Sequence, residues 1–470
     1  MDIINIGSRR EVLWDDYLVQ EATAVLVQHK PQYKGKLFST DMPWEGSYVS
    51  SLCIVNEEDY YRMYYSGLIT SDYTFTDYKN YLCYAESKDG VNWVRPDLGF
   101  CDFEGSATNN ILMDEKTSGI YLAGFYVFKD TNPNCPPDEL YKALEEDIPP
   151  GELILLYLKS ADGIHWEKVG PITTEGYFDS LNVAFWDKNT EQYFCYFRGY
   201  HDSNGILTRD IRVMTSKDFK NWTSPIQIEY IPGVPEFQIY NNNIMQYYRA
   251  DHMFIGIPTR YFERGEWSPS FDSLPNPDNR KERSKIDLRY GTALTDCLLM
   301  TSRDGYKFNR RNETFISPGP ERKYNWCYGD CYSVYGIIET KSDRSDAPNE
   351  LSILVPTHYW SVPRDMERYT IRIDGFCSYD APYEGGYLLT KPFIYSGCDL
   401  SLNFATSIVG EIKIALTDEN GNKYHTAPIF GDSLDRKVVF DGLDLGSLAG
   451  KPVTLRFDMI DAQIFSFKFE

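Results

Sequence analysis

One short motif recurs along this chain of 470 residues and constrains its architecture more than any other feature. Residues 87–93 read SKDGVNW, 160–166 SADGIHW, 216–222 SKDFKNW and 302–308 SRDGYKF, with a shorter copy, RIDGF, at 372–376. The shared aspartates are Asp89, Asp162, Asp218, Asp304 and Asp374. Each follows an apolar run with strand character: YLCYAE, LILLYLK, DIRVMT, CLLMT and RYTIR. Asp and Ser accept bonds from nearby backbone amides, Gly takes positive φ, and the aromatic residue that follows starts a return strand. Strand–turn–strand units repeated at this spacing imply radial repetition. The aspartates are therefore assigned to architecture.

Two more strand candidates precede each turn, for example YVSSLCIV and YYRMYYSGL, LNVAFW and QYFCYFRGY, or CYSVYGII and ELSILVPTHYW. Four strands per unit predict an all-β fold: a five-bladed β-propeller over residues 1–387, then a small C-terminal β-sandwich over 388–470, where the turn motif stops and DENG marks a hairpin. PPDELYKALEED (136–147) is the one segment expected to be helical, although LYKAL within it also has weak strand character. Residues 263–287, rich in Pro and charge, are expected as an extended loop, and residues 131–151, with five prolines, as a second insertion.

The balance of 47 basic against 69 acidic residues, a net charge of −22, disfavours nucleic acid and anionic membrane as partners. No apolar stretch approaches the ~18–20 residues that span a bilayer. The start MDIINIGSRREVLWDD lacks the pattern of a secretory signal. Ten scattered cysteines contain no CxxC pair; Cys327 and Cys331 lack a second pair to complete a zinc site. Reduced thiols and a cytoplasmic location are expected, with no metal and no cofactor. Aromatic residues, 15% of the chain, suit strands and also offer flat faces to sugar rings.

In a propeller the first strands of all blades converge on the axis, so acids near their starts meet although far apart in sequence. Hydrolysis of a glycosidic bond needs two such carboxyl groups. The candidates are Glu45 in PWEGSY, Asp179 in FDSLNVAF and Asp330 in WCYGDCY, with Asp296 entering the third strand of blade four. Asp179 and Asp330 stand out for their apolar and aromatic surroundings, where burial raises a carboxyl pKa. Substrate contacts are expected from Trp44, Asp130, Glu236 and Asn242, with Asn241 and Asn243 beside the last. Arg198 and Arg260 lie in or beside strands, as does Arg249; there they serve either as structural partners of carboxylates or as clamps for an anionic group. His201, His252 and His358 show no metal-ligand spacing. GxSxG, P-loop and GxGxxG motifs are absent.

The strings REVLWDDYLVQEA, PWEG, FDSLNVAFWD, YFRG, MTSRDG and YEGGYLLTKP, in this order, resemble a bacterial glycosidase group related to the invertase/fructanase and arabinanase/xylosidase propellers. The resemblance spans nearly the whole chain and implies a five-bladed propeller with an appended β-sandwich. It carries over to Glu45, Asp179, Arg198, Asp296 and Asp330. The chain departs from the group at Glu236-Phe237-Gln238-Ile239-Tyr240-Asn241, where EHLYTN is usual, and at Thr357-His358-Tyr359, where Glu-His-Tyr is usual. The WMNDPNG-type opening of invertases is missing, so β-fructosidase activity is not implied.

Three functions compete. The first is hydrolysis of a glycoside or small oligosaccharide by an Asp/Glu pair in the funnel. The second is a glycoside phosphorylase on the same scaffold, with Arg198, Arg260 and His201 on the phosphate. The third is a non-catalytic carbohydrate-binding propeller.

Overall fold

The computed structural model describes residues 3–47, 52–70, 77–148, 152–358 and 364–470. Residues 48–51 and 359–360 of the expected strands, and 149–151 of the second insertion, lie outside the described residues. The chain is mostly β. Four antiparallel meanders follow one another: Leu52–Asn56, Tyr61–Thr70 and Tyr78–Ser87 with outer strands Trp93–Val94 and Ile111–Asp114; Tyr126–Lys129, Tyr141–Asp147, Ile154–Ser160 and Glu167–Thr173; Val183–Asp187, Gln192–Ser203, Ile206–Ser216 and Ile226–Gln227; and Ile244–Tyr247, Ala250–Gly256, Met300–Ser302 and Lys307–Arg310. In a fifth sheet Ile338–Thr340, Glu350–Pro356 and Arg364–Arg372 are completed by Gln32–Thr40, which comes from the opposite end of the chain.

First strands of successive sheets pack side by side from the first sheet to the fourth. Between the fourth and fifth, Asn243 Nδ2 donates to the carbonyl of Ser333 at 2.7 Å. Just ahead of the fifth sheet, Tyr335 bridges back to Cys53, with Ile54 N donating to Tyr335 O at 2.8 Å. Most strands are covered on both faces, which is why they read as aromatic and apolar runs and not as alternating patterns.

The repeated motif does turn work between third and fourth strands. Ser87 Oγ accepts from Gly90 N at 2.9 Å, and Asp89 Oδ1 accepts from Val91 N and Asn92 N at 2.9 and 2.7 Å. Asp162, Asp218 and Asp304 repeat the pattern. In the third copy Phe219 takes the left-handed conformation that glycine takes elsewhere, with φ at 61°. Its ring, buried among Phe128, Tyr157 and Tyr193, holds it there.

Asp374 differs. No fourth strand follows it, because Gln32–Thr40 already fills that edge, and the chain departs into a second unit. The side chain is wholly buried, accepting from Tyr247 Oη and Ser466 Oγ at 2.7 Å each and pairing with Arg249 at 3.1 Å and Arg10 at 3.7 Å. Burial alone would raise this carboxyl; the two guanidiniums and the hydroxyl bonds outweigh it and hold it below its usual value.

The second unit is one hydrogen-bonded sheet of eleven strands built on Leu400–Asp418 and Val453–Phe469. It also takes Ile4–Gly7, Arg10–Val12, Val19–Ala22 and Val25–Gln28 from the start of the chain, together with Cys377–Ala381, Gly386–Thr390 and Phe393–Tyr395. Its core, including Leu402, Phe404, Ile414 and Phe457, is separate from that of the meanders.

Two expectations are corrected. Segment 136–147 is not an α-helix: a single 3-10 turn at Pro137–Glu139 leads into the strand Tyr141–Asp147. That strand is paired on both edges and its residues 141–146 are buried, so tertiary pairing overrides the helical preference of KALEE. Residues 263–287 are not an extended loop, since they contain helices Pro269–Ser273 and Pro277–Ser284, each with proline at its first position. Among the described residues no helix is long and apolar enough to cross a membrane.

Candidate functional site

In the second and third meanders the second and third strands run on beyond the start of the first strand. Tyr126, which opens the second sheet, pairs with Leu144, so Glu145–Asp147 project past it; Val183 pairs with Tyr196, so Phe197–Ser203 project likewise. These hairpin ends form a rim on the side where the first strands begin.

On that rim the second and third sheets bring Glu146 together with Asp179 and Arg198. Asp179 stands just ahead of Val183–Asp187, its side chain 59% exposed, and accepts from Arg198 Nη1 at 2.7 Å. Arg198 is itself buried and lies over the ring of Tyr240 at 4.4 Å. Glu146 is buried, and its carboxyl makes no hydrogen bond among the described residues. Burial, and then the charge of Asp179, push it up to about 7 against the pull of Arg198. Strand alternation sends neighbouring Glu145 the other way. There it accepts from Gly124 N at 2.8 Å. A Cβ at Gly124 would lie 2.8 Å from that carboxyl, so the close approach depends on glycine.

Aromatic faces surround the pair. Tyr177, 51% exposed, meets Tyr200 edge to face at 4.6 Å, and Tyr240 Oη bonds Tyr328 Oη at 2.8 Å. Arg209 lies over Tyr261 and Tyr240 and bonds Gln238. The Nε atoms of Arg198 and Arg209 find no acceptor among the described residues. Beside them Glu236 accepts from Ser203 and His201, and His201 Nδ1 bonds Asp210 at 2.9 Å. Burial would lower the His201 imidazole, but Glu236 and Asp210 raise it above its usual value.

The other residues singled out in the sequence are engaged elsewhere. Glu45, wholly buried, accepts from Tyr65 Oη at 2.5 Å and from Arg95 at 2.8 and 3.0 Å. Trp44 Nε1 donates to Asn110 at 2.7 Å. Asp130 sits past the end of its first strand, away from the rim, held by Tyr193 Oη at 2.7 Å and Lys142 at 2.8 Å. Asn242, buried, donates to the carbonyls of Leu181 and Tyr196 and ties the third sheet to the fourth. Asp296 and Arg260 face each other across paired strands in a two-pronged bond of 2.8 and 2.5 Å, joined by Thr314.

Asp330 is fully buried and accepts from Cys327 N at 3.0 Å. Burial pushes it up to about 6, against backbone bonds and the charges of Arg364 and Arg283. No hydrogen bond or ion pair links Asp330 to Asp179 among the described residues. Glu146 is the carboxyl that the sequence argument missed. Its one visible signal was the acidic pair Glu145-Glu146 closing a strand-capable run, LYKALEED.

No protein-family model matches the chain, and no curated protein matches it. Among solved structures it is similar to a glycosyl hydrolase from Bacteroides ovatus, 13% identical over 78% of this chain and 94% of that one, with a TM-score of 0.42. It is also similar to an N-acetylgalactosamine deacetylase from F. plautii, 12% identical over 94% and 95% of the two chains, TM-score 0.43. A third is a β-fructofuranosidase from Bombyx mori, 8% identical over 93% and 94%, TM-score 0.41.

Proposed function

We propose that the chain is a glycoside hydrolase acting on a small oligosaccharide or glycoside, with Glu146 as general acid and Asp179 as its carboxylate partner. The observation that carries this is a buried carboxyl pushed up to about 7, in part by the charge of an exposed carboxylate that Arg198 braces. Glu146 gives its proton to the glycosidic oxygen as the bond to the anomeric carbon breaks. Asp179 either attacks that carbon or takes a proton from the water that does. The exposed Tyr177 offers a face for the sugar ring. Glu45, Asp130, Asn242, Asp296 and Asp330 act as positioning and scaffold residues.

The scaffold on this account is a five-bladed β-propeller, closed by Gln32–Thr40 and followed by a β-sandwich unit. The cyclic contacts of the first strands support five blades. The pairing of 4–28 and 377–395 with the long C-terminal strands supports placing these segments in the second unit, which moves the division from 387 to about 374. The free cysteines support a reducing, cytoplasmic compartment.

The test is turnover of a panel of aryl glycosides by the wild type, Glu146→Gln and Asp179→Asn. Both variants are expected to lose activity while remaining folded; normal turnover by both removes the proposal. A rate that requires added phosphate would instead establish a glycoside phosphorylase on the same scaffold.

A further inference from the structure

The insertion carried by the fourth sheet builds a second polar site. Between helix Pro277–Ser284 and residues 323–327 lies a pocket lined chiefly by Asn276, Asn279, Arg280, Arg283, Lys323 and Asn325, with no carboxylate among its lining residues. Arg280 and Arg283, 2% and 4% exposed, stand three residues apart on one face of the helix. Arg280 Nη1 donates to the carbonyl of Gly291 at 3.3 Å, while its Nε is buried and has no acceptor among the described residues. Lys323 stands exposed at the mouth.

Buried charges are ordinarily paired. Here two guanidiniums and an ammonium converge, and the buried Asp330 is the carboxylate whose charge acts on both guanidiniums. Burial and the neighbouring Arg283 charge both lower Arg280, the signature of a cation lacking enough counter-charge. The pocket also adjoins the rim site: Cys327 lines it, and the next residue, Tyr328, bonds Tyr240, whose ring underlies Arg198.

We propose that this pocket binds an oxyanion, a carboxylate, sulfate or phosphate, between Arg280, Arg283 and Lys323. Resting on the hydrolase proposal, we assign that oxyanion to a charged substituent of the glycoside. Planar guanidiniums match the paired oxygens of such groups.

Calorimetric titration of the full chain with D-glucuronate, sulfate and inorganic phosphate tests it. At least one probe is expected to bind, with affinity falling about tenfold or more in Lys323→Ala and in Arg283→Gln. Glu146→Gln should bind it as the wild type does. Thermal melts identify any variant that fails to fold, and Lys323→Ala, altered only at an exposed side chain, keeps the test decisive. Absence of binding by all three probes, or binding untouched by Lys323→Ala and Arg283→Gln, overturns the site. Phosphate binding accompanied by phosphate-dependent turnover overturns the assignment to a substrate substituent. Oxyanion binding with unimpaired turnover in Glu146→Gln sinks the hydrolase mechanism and leaves the pocket standing.

Discussion

Glu146 and Asp179 belong to neighbouring sheets, one at the projecting end of a second strand and the other just ahead of a first strand, and the charge of Asp179 helps keep Glu146 protonated near neutral pH. Arg198 bonds Asp179, while Glu146, without such a bond, is pushed up by burial and by the neighbouring charge against the pull of Arg198. That division of roles is what acid-assisted cleavage of a glycosidic bond requires.

The pair has a cost visible in stability. Glu146 titrates at about 7 in the folded chain, above its ordinary 4.5, so its ionisation opposes folding. The penalty is absent below about pH 4.5, grows as pH rises toward 7, and is complete above that. Glu146→Gln is therefore expected to be more stable than wild type by on the order of 1–3 kcal/mol at about pH 8, and equal to it at about pH 4. Urea denaturation at the two pH values checks this. Loss of stability at both would mark a structural residue.

Asp374 joins the N-terminal segment, the fourth and fifth sheets and the C-terminal unit through Arg10, Arg249, Tyr247, Asn403 and Ser466. Asp374→Ala leaves guanidiniums without their buried carboxylate and should cost about 3–5 kcal/mol. The readout is a lowered melting temperature, with turnover per folded molecule unchanged.

Glu45 separates a sequence-based expectation from the geometry. Its oxygens are occupied by Arg95, Tyr65 and Met42 N. Glu45→Gln should cost about 1–3 kcal/mol through weakened bonds to Arg95. Its kcat, measured below the unfolding transition, should match wild type. A collapse of kcat in a folded Glu45→Gln protein would return this residue to the reaction.

The arrangement of the sheets was legible because turn chemistry is local: Asp89, Asp162, Asp218 and Asp304 need only bonds within a few residues. The weakness of the fifth copy also had a cause, since Asp374 makes long-range contacts in place of a fourth-strand turn. Non-local pairing was not legible. Nothing in QYKGKLFST marks Gln32–Thr40 as the edge of a sheet whose other strands, Ile338–Thr340 to Arg364–Arg372, lie far along the chain. Asp179 and Arg198 were reached by looking ahead of first strands and for arginines inside strands. Glu146 escaped because the projecting second strands, and not only the first, supply the rim. The helices at 269–284 were announced by Pro269 and Pro277, which open them, but the surrounding charge and proline obscured the pattern.

The central claim, that Glu146 protonates the leaving oxygen, is tested most directly by comparing wild type with Glu146→Gln on paired glycosides that share a sugar and differ in leaving group. An activated aryl group leaves with little protonation, whereas a sugar or alkyl group needs it. The account predicts a loss of about 10²–10⁴-fold on the unactivated glycoside and a much smaller loss on the activated one. It also predicts that the rate decline above about pH 7 disappears in the variant. Equal rates for wild type and Glu146→Gln on the unactivated glycoside would contradict it.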